Sequence, residues 1–503
     1  MWPLFCLGKA MKNLRNLWLL VLAYPGLLRS QGFTGADFSQ YLGISSVYAN
    51  PAWIVATPYA KQAQLGAFGL GFSNNYWALE APFTPWQWLT GGVDPSLKNA
   101  QGKIVWRPEW LTRNNQLQAA DLMAQAEVRG PSYAKQLGTR LAWSTQTRTR
   151  SYLQIRDTDP ALFRWAESVA RSQSSSSTAS LGSNFHLQSS AWQEWAGTLA
   201  AAPVSNGSLR IRLGATAKMY MGLGYAEAKS QGTRMQFFGR DSLTVYNSDM
   251  TWTFSSPQAL QSITGSIVSG TRPSLGSISG LGLGLDLGAV FEFGRMGDAK
   301  WKAVVDGKPS FGANPYRFQL ALSVLDFGGL RYGSDLSTIQ ISNSQAKTLV
   351  WDTAVWTALA QGQNALFDEL ESFARRELNY QNSTESRTVR MPATWVLQGN
   401  YRINRWLQLG AQWRHNSAAV GLSSIQLVPR FESKWLELGV PMSLHSGYRD
   451  LAAGGFVRLG PLWLGSDRLF SSLFQTSKSD LDVYMGLSWG WKLGSDNAKK
   501  AKD

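Results

Sequence analysis

From Leu209 to Tyr225 every odd position is apolar (Leu209, Ile211, Leu213, Ala215, Ala217, Met219, Met221, Leu223, Tyr225), while Arg210, Arg212, Thr216 and Lys218 lie between them. Successive Cβ atoms of a strand point to opposite faces, so this alternation marks one apolar and one wet face. It also runs longer than the usual strand of a globular domain. The pattern returns at Leu281, Leu283, Leu285, Leu287, Ala289, Phe291 and Phe293, with Gly282, Gly284, Asp286, Gly288 and Glu292 opposite. It appears once more at Val483, Met485, Leu487, Trp489, Trp491 and Leu493, alternating with Asp482, Tyr484, Gly486, Ser488, Gly490 and Lys492. A barrel that meets lipid on one face and water or a plug on the other requires this arrangement.

The expected fold is therefore all-β, an antiparallel transmembrane β-barrel of about 14 strands, within a range of about 12 to 16 because such barrels favour even numbers. Arg210, Arg212, Lys218, Asp286 and Glu292 are the candidate lumen-facing residues. The 503 residues show no α/β pattern with a nucleotide loop, and 48 Gly, 23 Trp, 22 Phe and 16 Tyr suit tight turns and aromatic girdles. A Trp-rich carbohydrate-binding β-sandwich is the alternative. Cys6 is the only cysteine, and the three histidines (His186, His415, His445) have no metal-pair spacing, so no disulfide, metal site or cofactor is expected.

Lys12 and Arg15 precede an apolar run from Leu17 to Leu28, followed by Ser30-Gln31-Gly32, which reads as a secretory signal over residues 1–30. No later apolar stretch is long enough for a membrane helix. Without the leader the chain holds 44 basic and 33 acidic residues, a net charge of +11. The expected location is the outer membrane of a Gram-negative bacterium. The expected partners are outer-membrane lipid and lipopolysaccharide, the barrel-insertion machinery and other envelope proteins, with no nucleic acid.

Further strands are expected at Leu137–Thr147, Tyr316–Tyr332, Ala393–Tyr401, Trp406–His415, Ile425–Phe431, Trp435–His445 and Gly454–Leu464, and weaker ones near Leu65, Tyr76, Ile104, Tyr152, Met235 and Leu243. Within Tyr316–Tyr332 the apolar parity changes at Leu325 and returns after Gly328-Gly329, which reads as two bulges that keep Asp326 out of lipid. Ala81–Arg129, Asp157–Asn206, Tyr246–Gly280 and Gly333–Arg390 read as long outward loops. Helical spacing occurs in two of them, after Asp159-Pro160 (Ala161, Leu162, Trp165, Val169) and at Trp356, Leu359, Leu366, Leu370 and Phe373.

Ser46-Val47-Tyr48-Ala49-Asn50-Pro51-Ala52, Leu285-Asp286-Leu287-Gly288, Ser323-Val324-Leu325-Asp326-Phe327-Gly328 and Gly460-Pro461-Leu462-Trp463-Leu464-Gly465-Ser466-Asp467 resemble segments of a Bacteroidota outer-membrane barrel family of unknown function. The likeness runs from Phe33 to Leu493. Asn50-Pro51-Ala52 is similar to the hatch motif of FadL-type fatty-acid transporters and of the related barrel that serves type IX secretion. On that resemblance residues 31–60 form an N-terminal hatch, 61–493 the barrel and 494–503 a disordered periplasmic tail. Read from its residues alone, Pro51 only biases Asn50 toward extended backbone, and an ordinary turn fits equally.

His415-Asn416-Ser417 follows a strand, where a rim catalytic site would lie. A nucleophile, base and orienting group must nevertheless converge in space, and adjacency does not supply that. No catalytic residue is assigned, and no enzyme activity is expected. Two functions stay open: movement of a small hydrophobic molecule through a hatched barrel, and an accessory or scaffold barrel that docks other envelope or secretion proteins.

Overall fold

The computed structural model describes residues 33–491 apart from breaks in loops and turns, of which 165–177, 256–277, 296–303, 310–315, 351–371, 417–423 and 446–451 are the longest. The expected leader and tail, Trp165, Val169 and the stretch from Trp356 to Leu370 lie outside the described residues.

Twenty-two strand segments form one sheet. Where bulges or insertions interrupt a strand, its pieces still lie end to end, so the sheet has 14 staves. These are β1 (Lys61–Asn74), β2 (Ala120–Arg129 and Ser132–Gln136), β3 (Leu141–Thr158), β4 (Thr178–Ser205) and β5 (Leu209–Phe238). Next come β6 (Ser242–Phe254 and Gly280–Arg295), β7 (Tyr316–Tyr332, Ser337–Asn343 and Lys347–Val350) and β8 (Asn379–Thr384, Arg387–Arg390 and Thr394–Arg402). The circuit continues through β9 (Leu407–Asn416), β10 (Ser424–Glu432), β11 (Leu436–Gly439 and Met442–His445), β12 (Ala452–Ala453 and Gly455–Leu459), β13 (Leu462–Ser466) and β14 (Asp480–Trp491). Neighbours are antiparallel, and β14 pairs with β1 from Lys61↔Trp491 to Ser73↔Asp480, which closes the ring.

Alternation sorts the side chains as a membrane barrel demands. Leu199, Leu283, Phe327, Trp413, Ile425 and Met485 project outward and are exposed, Leu283 to 74% and Phe327 to 67%. Such a continuous apolar surface is far larger than the patches a soluble protein carries. Among the described residues no helix is long and apolar enough to cross a membrane. The crossing belongs to the strands, and the chain is a barrel of the outer-membrane type. At the end where the chain enters β1 and leaves β14, five of the six connections have two to four residues and only 296–315 is long, whereas the other end holds the long segments 75–119, 159–177 and 351–378; by the usual asymmetry of such barrels the first end corresponds to the periplasm and the second to the exterior.

Several expectations are corrected. Asp157–Asn206 is largely strand, because β4 takes up 28 of its residues. The hydrophobic pattern hid it, since its lumen side carries the apolar Trp192, Ala200 and Ala202 beside Ser190, Glu194 and Thr198, and its pairing with β5 shifts at Ser183/Phe185, Ala191/Trp192 and Ala201/Val204. The expected loop at Tyr246–Gly280 begins as strand to Phe254. Opposite β5 the two pieces of β6 continue one another, with Ala226 facing Phe254 and Gly222 facing Gly280, so 255–279 is an insertion in a single stave. The last ten residues of Ala81–Arg129 and both ends of Gly333–Arg390 are likewise strand. Gly454–Leu464 is a hairpin that turns at Gly460, whose φ is +57°. Leu137 lies in the turn before β3, and Ile104 makes only an isolated bridge with Lys98. One bulge, not two, interrupts β7 against β6, between Leu287↔Val324 and Leu285↔Phe327. Asp326 sits in it with φ 58° and is buried. Parity does not return after Gly328-Gly329, because Leu330 and Tyr332 face the lumen, where other aromatics shield them.

Candidate functional site: the plugged lumen

Residues 33–60 occupy the lumen as short helical turns: α1 (Thr34–Asp37), a 3-10 turn (Gln40–Leu42), α2 (Gly43–Ser46) and a second 3-10 turn (Pro51–Ile54). Asn50 is extended (φ −159°), as a residue before proline prefers, and its Oδ1 accepts the Ala52 N–H at 2.9 Å. Its Nδ2 donates to the wall carbonyls of Leu322 (2.9 Å) and Ala289 (3.3 Å), and Ser323 Oγ donates back to the Ala49 carbonyl at 2.7 Å. The motif therefore caps its own turn and grips the β6–β7 seam at once. Gly214 and Gly288 make the approach feasible. A Cβ on Gly214 would lie 2.5 Å from Ala52 N, and one on Gly288 2.0 Å from Asn50 Oδ1.

The hatch aromatics supply a second set of contacts. Arg129 of β2 lies over Phe33 (3.7 Å) and Tyr48 (4.2 Å), and Arg212 of β5 over Trp53 (4.7 Å). Arg430 of β10 lies over Phe38 (5.4 Å) and Arg458 of β12 over Tyr41 (4.9 Å). Each such contact contributes about 0.5–2 kcal/mol, more where water is excluded. Further bonds run from Ser39 Oγ to Glu437 (2.6 Å), from the Gln40 N–H to Glu432 (2.8 Å), from Trp53 Nε1 to Gln398 (3.1 Å) and from Arg212 Nη1 to the Val55 carbonyl (2.9 Å).

Toward the exterior the lumen becomes a layer of charge. Arg148 and Arg150 of β3 and Lys218 of β5 face Glu194 of β4, Asp286 of β6 and Asp326 of β7. Arg148 Nη2 meets Glu194 at 2.6 Å and Arg150 Nη1 meets Asp326 at 2.7 Å, while Lys218 Nζ bridges Asp286 (2.7 Å) and Asp326 (2.5 Å). Three cations match three carboxylates, which lets all but the partly exposed Arg150 remain buried. Asp286 also accepts the Asp326 N–H at 2.7 Å, so a side chain satisfies backbone freed by the bulge. Toward the turns, Arg210 and Arg212 both bond Glu292, which Gln319 Nε2 also reaches at 2.6 Å. All five candidate lumen residues, Arg210, Arg212, Lys218, Asp286 and Glu292, are thus buried in ion pairs. Sequence reading missed Arg148 and Arg150, whose spacing by two was the available signal, and Glu194, hidden in the segment taken for a loop.

Above the charge layer lie Tyr152, Trp192, Tyr220, Tyr225, Leu330 and Tyr332, all buried. Trp192 Nε1 donates to Glu194 at 2.7 Å, which ties the aromatic layer to the charged one. Higher still, Glu227 receives His186 (2.9 Å), Lys229 (2.7 Å) and Arg387 (3.0 Å). His415 projects outward from β9 and stacks on Trp413 with ring centroids 5.8 Å apart, and His445 ends β11.

Two hatch contacts involve carboxyl groups outside the strands. Burial pushes Asp37 up from 3.8 to about 6, against the pull of Arg414 and Arg129. Burial likewise raises Asp467 to about 6, offset by hydrogen bonds from Thr34 and Tyr484. A small void of about 30 Å³, water-sized, lies between the hatch and β5, β7 and β8, lined by Asp37, Trp53, Arg212, Gln319, Gln398 and Asn400 among others. Outside the same wall, Leu199, Leu213, Leu287, Leu322, Trp395 and Trp413 line an apolar depression.

Solved structures similar to this chain include a deltaS2S3 mutant of the TodX monoaromatic hydrocarbon channel (10% identity, 93% of this chain and 100% of that one, TM-score 0.40). Others are the Pseudomonas putida toluene transporter TodX (10%, 92% and 99%, TM-score 0.32) and a Pseudomonas aeruginosa FadL homologue (10%, 92% and 98%, TM-score 0.21). No curated protein matches the sequence. A family model described as a family of unknown function matches residues 51–467, from the hatch motif to the end of β13, and the chain belongs to that family, DUF5723.

Proposed function

We propose that the protein is an outer-membrane conduit whose N-terminal hatch gates the passage of a small hydrophobic molecule. The observation that carries this reading is how the hatch is held. Residues 33–59 fill the lumen through side-chain hydrogen bonds and arginine–aromatic contacts, while the wall's hydrogen-bonded ladder runs from stave to stave without them. The plug can therefore shift without a wall strand being broken. The aromatic layer supports the hydrophobic character of the cargo: neither lipid contact nor a water-filled pore requires Tyr152, Trp192, Tyr225 and Tyr332 to converge on the lumen side. Deletion of residues 33–57 should convert a silent barrel into one that passes stepwise ion current in a planar bilayer. Silence from a deletion variant that still shows heat-modifiable mobility on gels would overturn the reading.

The second reading, a scaffold that docks other envelope proteins, draws on β5–β8. β5 alone has 30 residues where a crossing takes about 9–11, so this side stands well clear of a bilayer. Photo-crosslinker placed at Gln340, on the projecting part of β7, should capture a stoichiometric protein in cells if docking is the function.

A further inference from the structure

The wall is uneven, and its short side lacks the strand length to cross a membrane. β13 has five residues and β12 runs only from Ala452 to Leu459 with an interruption at Gly454, where a crossing takes about 9–11. At about 3.3 Å per residue β13 spans only about 17 Å along its axis, against an apolar band about 25 Å tall. Something apolar other than strand has to face the acyl chains above it.

Two short helices stand at that place. α3 (Pro85–Leu89) lies in the loop between β1 and β2, and α4 (Leu469–Phe474) in the loop between β13 and β14. A small sheet ties the two loops together, with Trp77–Glu80 pairing both Leu111–Arg113 and Ser477–Lys478. α4 lies on the outside of the wall. In β12, Phe456 and Arg458 turn inward to meet the hatch at Gly35 and Tyr41, so Gly455 between them and the turn faces out. A Cβ on Gly455 would come within 3.0 Å of Leu469 Cδ2 and 3.6 Å of Phe470 Cζ. The Ala453 N–H donates to Ser471 Oγ at 2.8 Å, which pins the helix to the same strand. Phe474 then projects away, 56% exposed, with its ring 5.9 Å from that of Trp86. Trp88, two residues on, is 47% exposed. Neither helix contains a charged residue.

We propose that α3 and α4 form a membrane-seated collar, with Trp86, Trp88, Phe470 and Phe474 entering the acyl-chain and headgroup boundary of the outer leaflet and completing the apolar band where β12 and β13 stop short. The patch continues the lipid-facing surface, since Leu459, Leu462, Leu464 and Met485 are exposed on the adjoining strands. Its composition suits that depth, because tryptophan rings favour the interface and uncharged segments avoid the cost of taking ions into lipid. The inference rests on placement of the barrel in a bilayer.

Spin labels test both levels separately. Cys6→Ser leaves the chain free of cysteine. In that background Phe474→Cys and Trp88→Cys are labelled one at a time, with Leu464→Cys as the strand reference and Lys103→Cys as the aqueous reference, in vesicles of phosphatidylethanolamine and phosphatidylglycerol. Labels at 474 and 88 should be more accessible to oxygen than to a water-soluble nickel complex, as at 464. Nickel accessibility matching that at 103 would place the helices in water, and inaccessibility to both reagents would place them under a protein; either overturns the collar. An aqueous signature at 464 itself would instead refute the bilayer placement, and the collar with it.

Discussion

Lys218 shows what a single side chain does in this lumen. Its ammonium holds Asp286 and Asp326 across the β6–β7 bulge, and Asp326 pays for a left-handed backbone that a non-glycine residue seldom adopts. Lys218→Met should destabilise the barrel by about 3–5 kcal/mol, because it strands the buried Asp286 and leaves Asp326 to Arg148 and Arg150 alone. The check is the temperature at which the variant loses its folded mobility on gels. Adding Asp286→Asn should restore much of the loss. Gly288 acts by absence: in Gly288→Val the new side chain collides with Asn50, so the hatch should unseat and leak current should appear while the wall remains intact. Parity alone placed Arg210, Lys218, Asp286 and Glu292 opposite an apolar face. It gave no hint of which carboxylate each cation meets, since pairing across staves depends on register, and bulges reset register.

Among the elements, the hatch responds to pH. An exposed aspartate ionises near its ordinary 3.8, whereas burial holds the seated Asp37 protonated to about 6. The seated form thus keeps the proton more tightly. Seating is strongest below about pH 4, weakens as pH rises from about 4 to 6, and stays at its weaker level above that, a difference of about 3 kcal/mol at roughly 1.4 kcal/mol per pH unit. The protection of amides in residues 33–57, measured against the intrinsic exchange rate at each pH, should accordingly be greater at about pH 4.5 than at about pH 7.5, and Asp37→Asn should reduce the difference, with Asp467 carrying the rest. Strands differ in how legible they were. Tyr316–Tyr332 shows its boundaries because outward Phe318, Leu320 and Leu322 alternate with small or polar residues. β4 does not, since Ser189, Ser190 and Ala191 carry no hydrophobic contrast just where its pairing shifts. The hatch had no period to read at all: its aromatics are spaced to meet arginines on separate staves, a pattern that exists only in three dimensions.

At the scale of the molecule, the arginines that hold the hatch come from β2, β5, β10 and β12, so the plug touches the wall on opposite sides. Removing it should lower the heat stability of the barrel as well as open it, a change that gel mobility against temperature would register. The same geometry bears on how the protein is made. The Gly35 N–H bonds the Tyr484 hydroxyl at 3.1 Å across 449 positions, and Thr34 bonds Asp467 across 433. Partners so distant cannot meet until nearly the whole chain is present, and closing that loop is the costliest in the molecule. Thr34 and Gly35 therefore wait for the last strand to arrive. Sealing the cylinder and fastening the leading edge of its plug thus fall together at the end of assembly, while the grip of Asn50 on β6 and β7 needs only the middle of the chain.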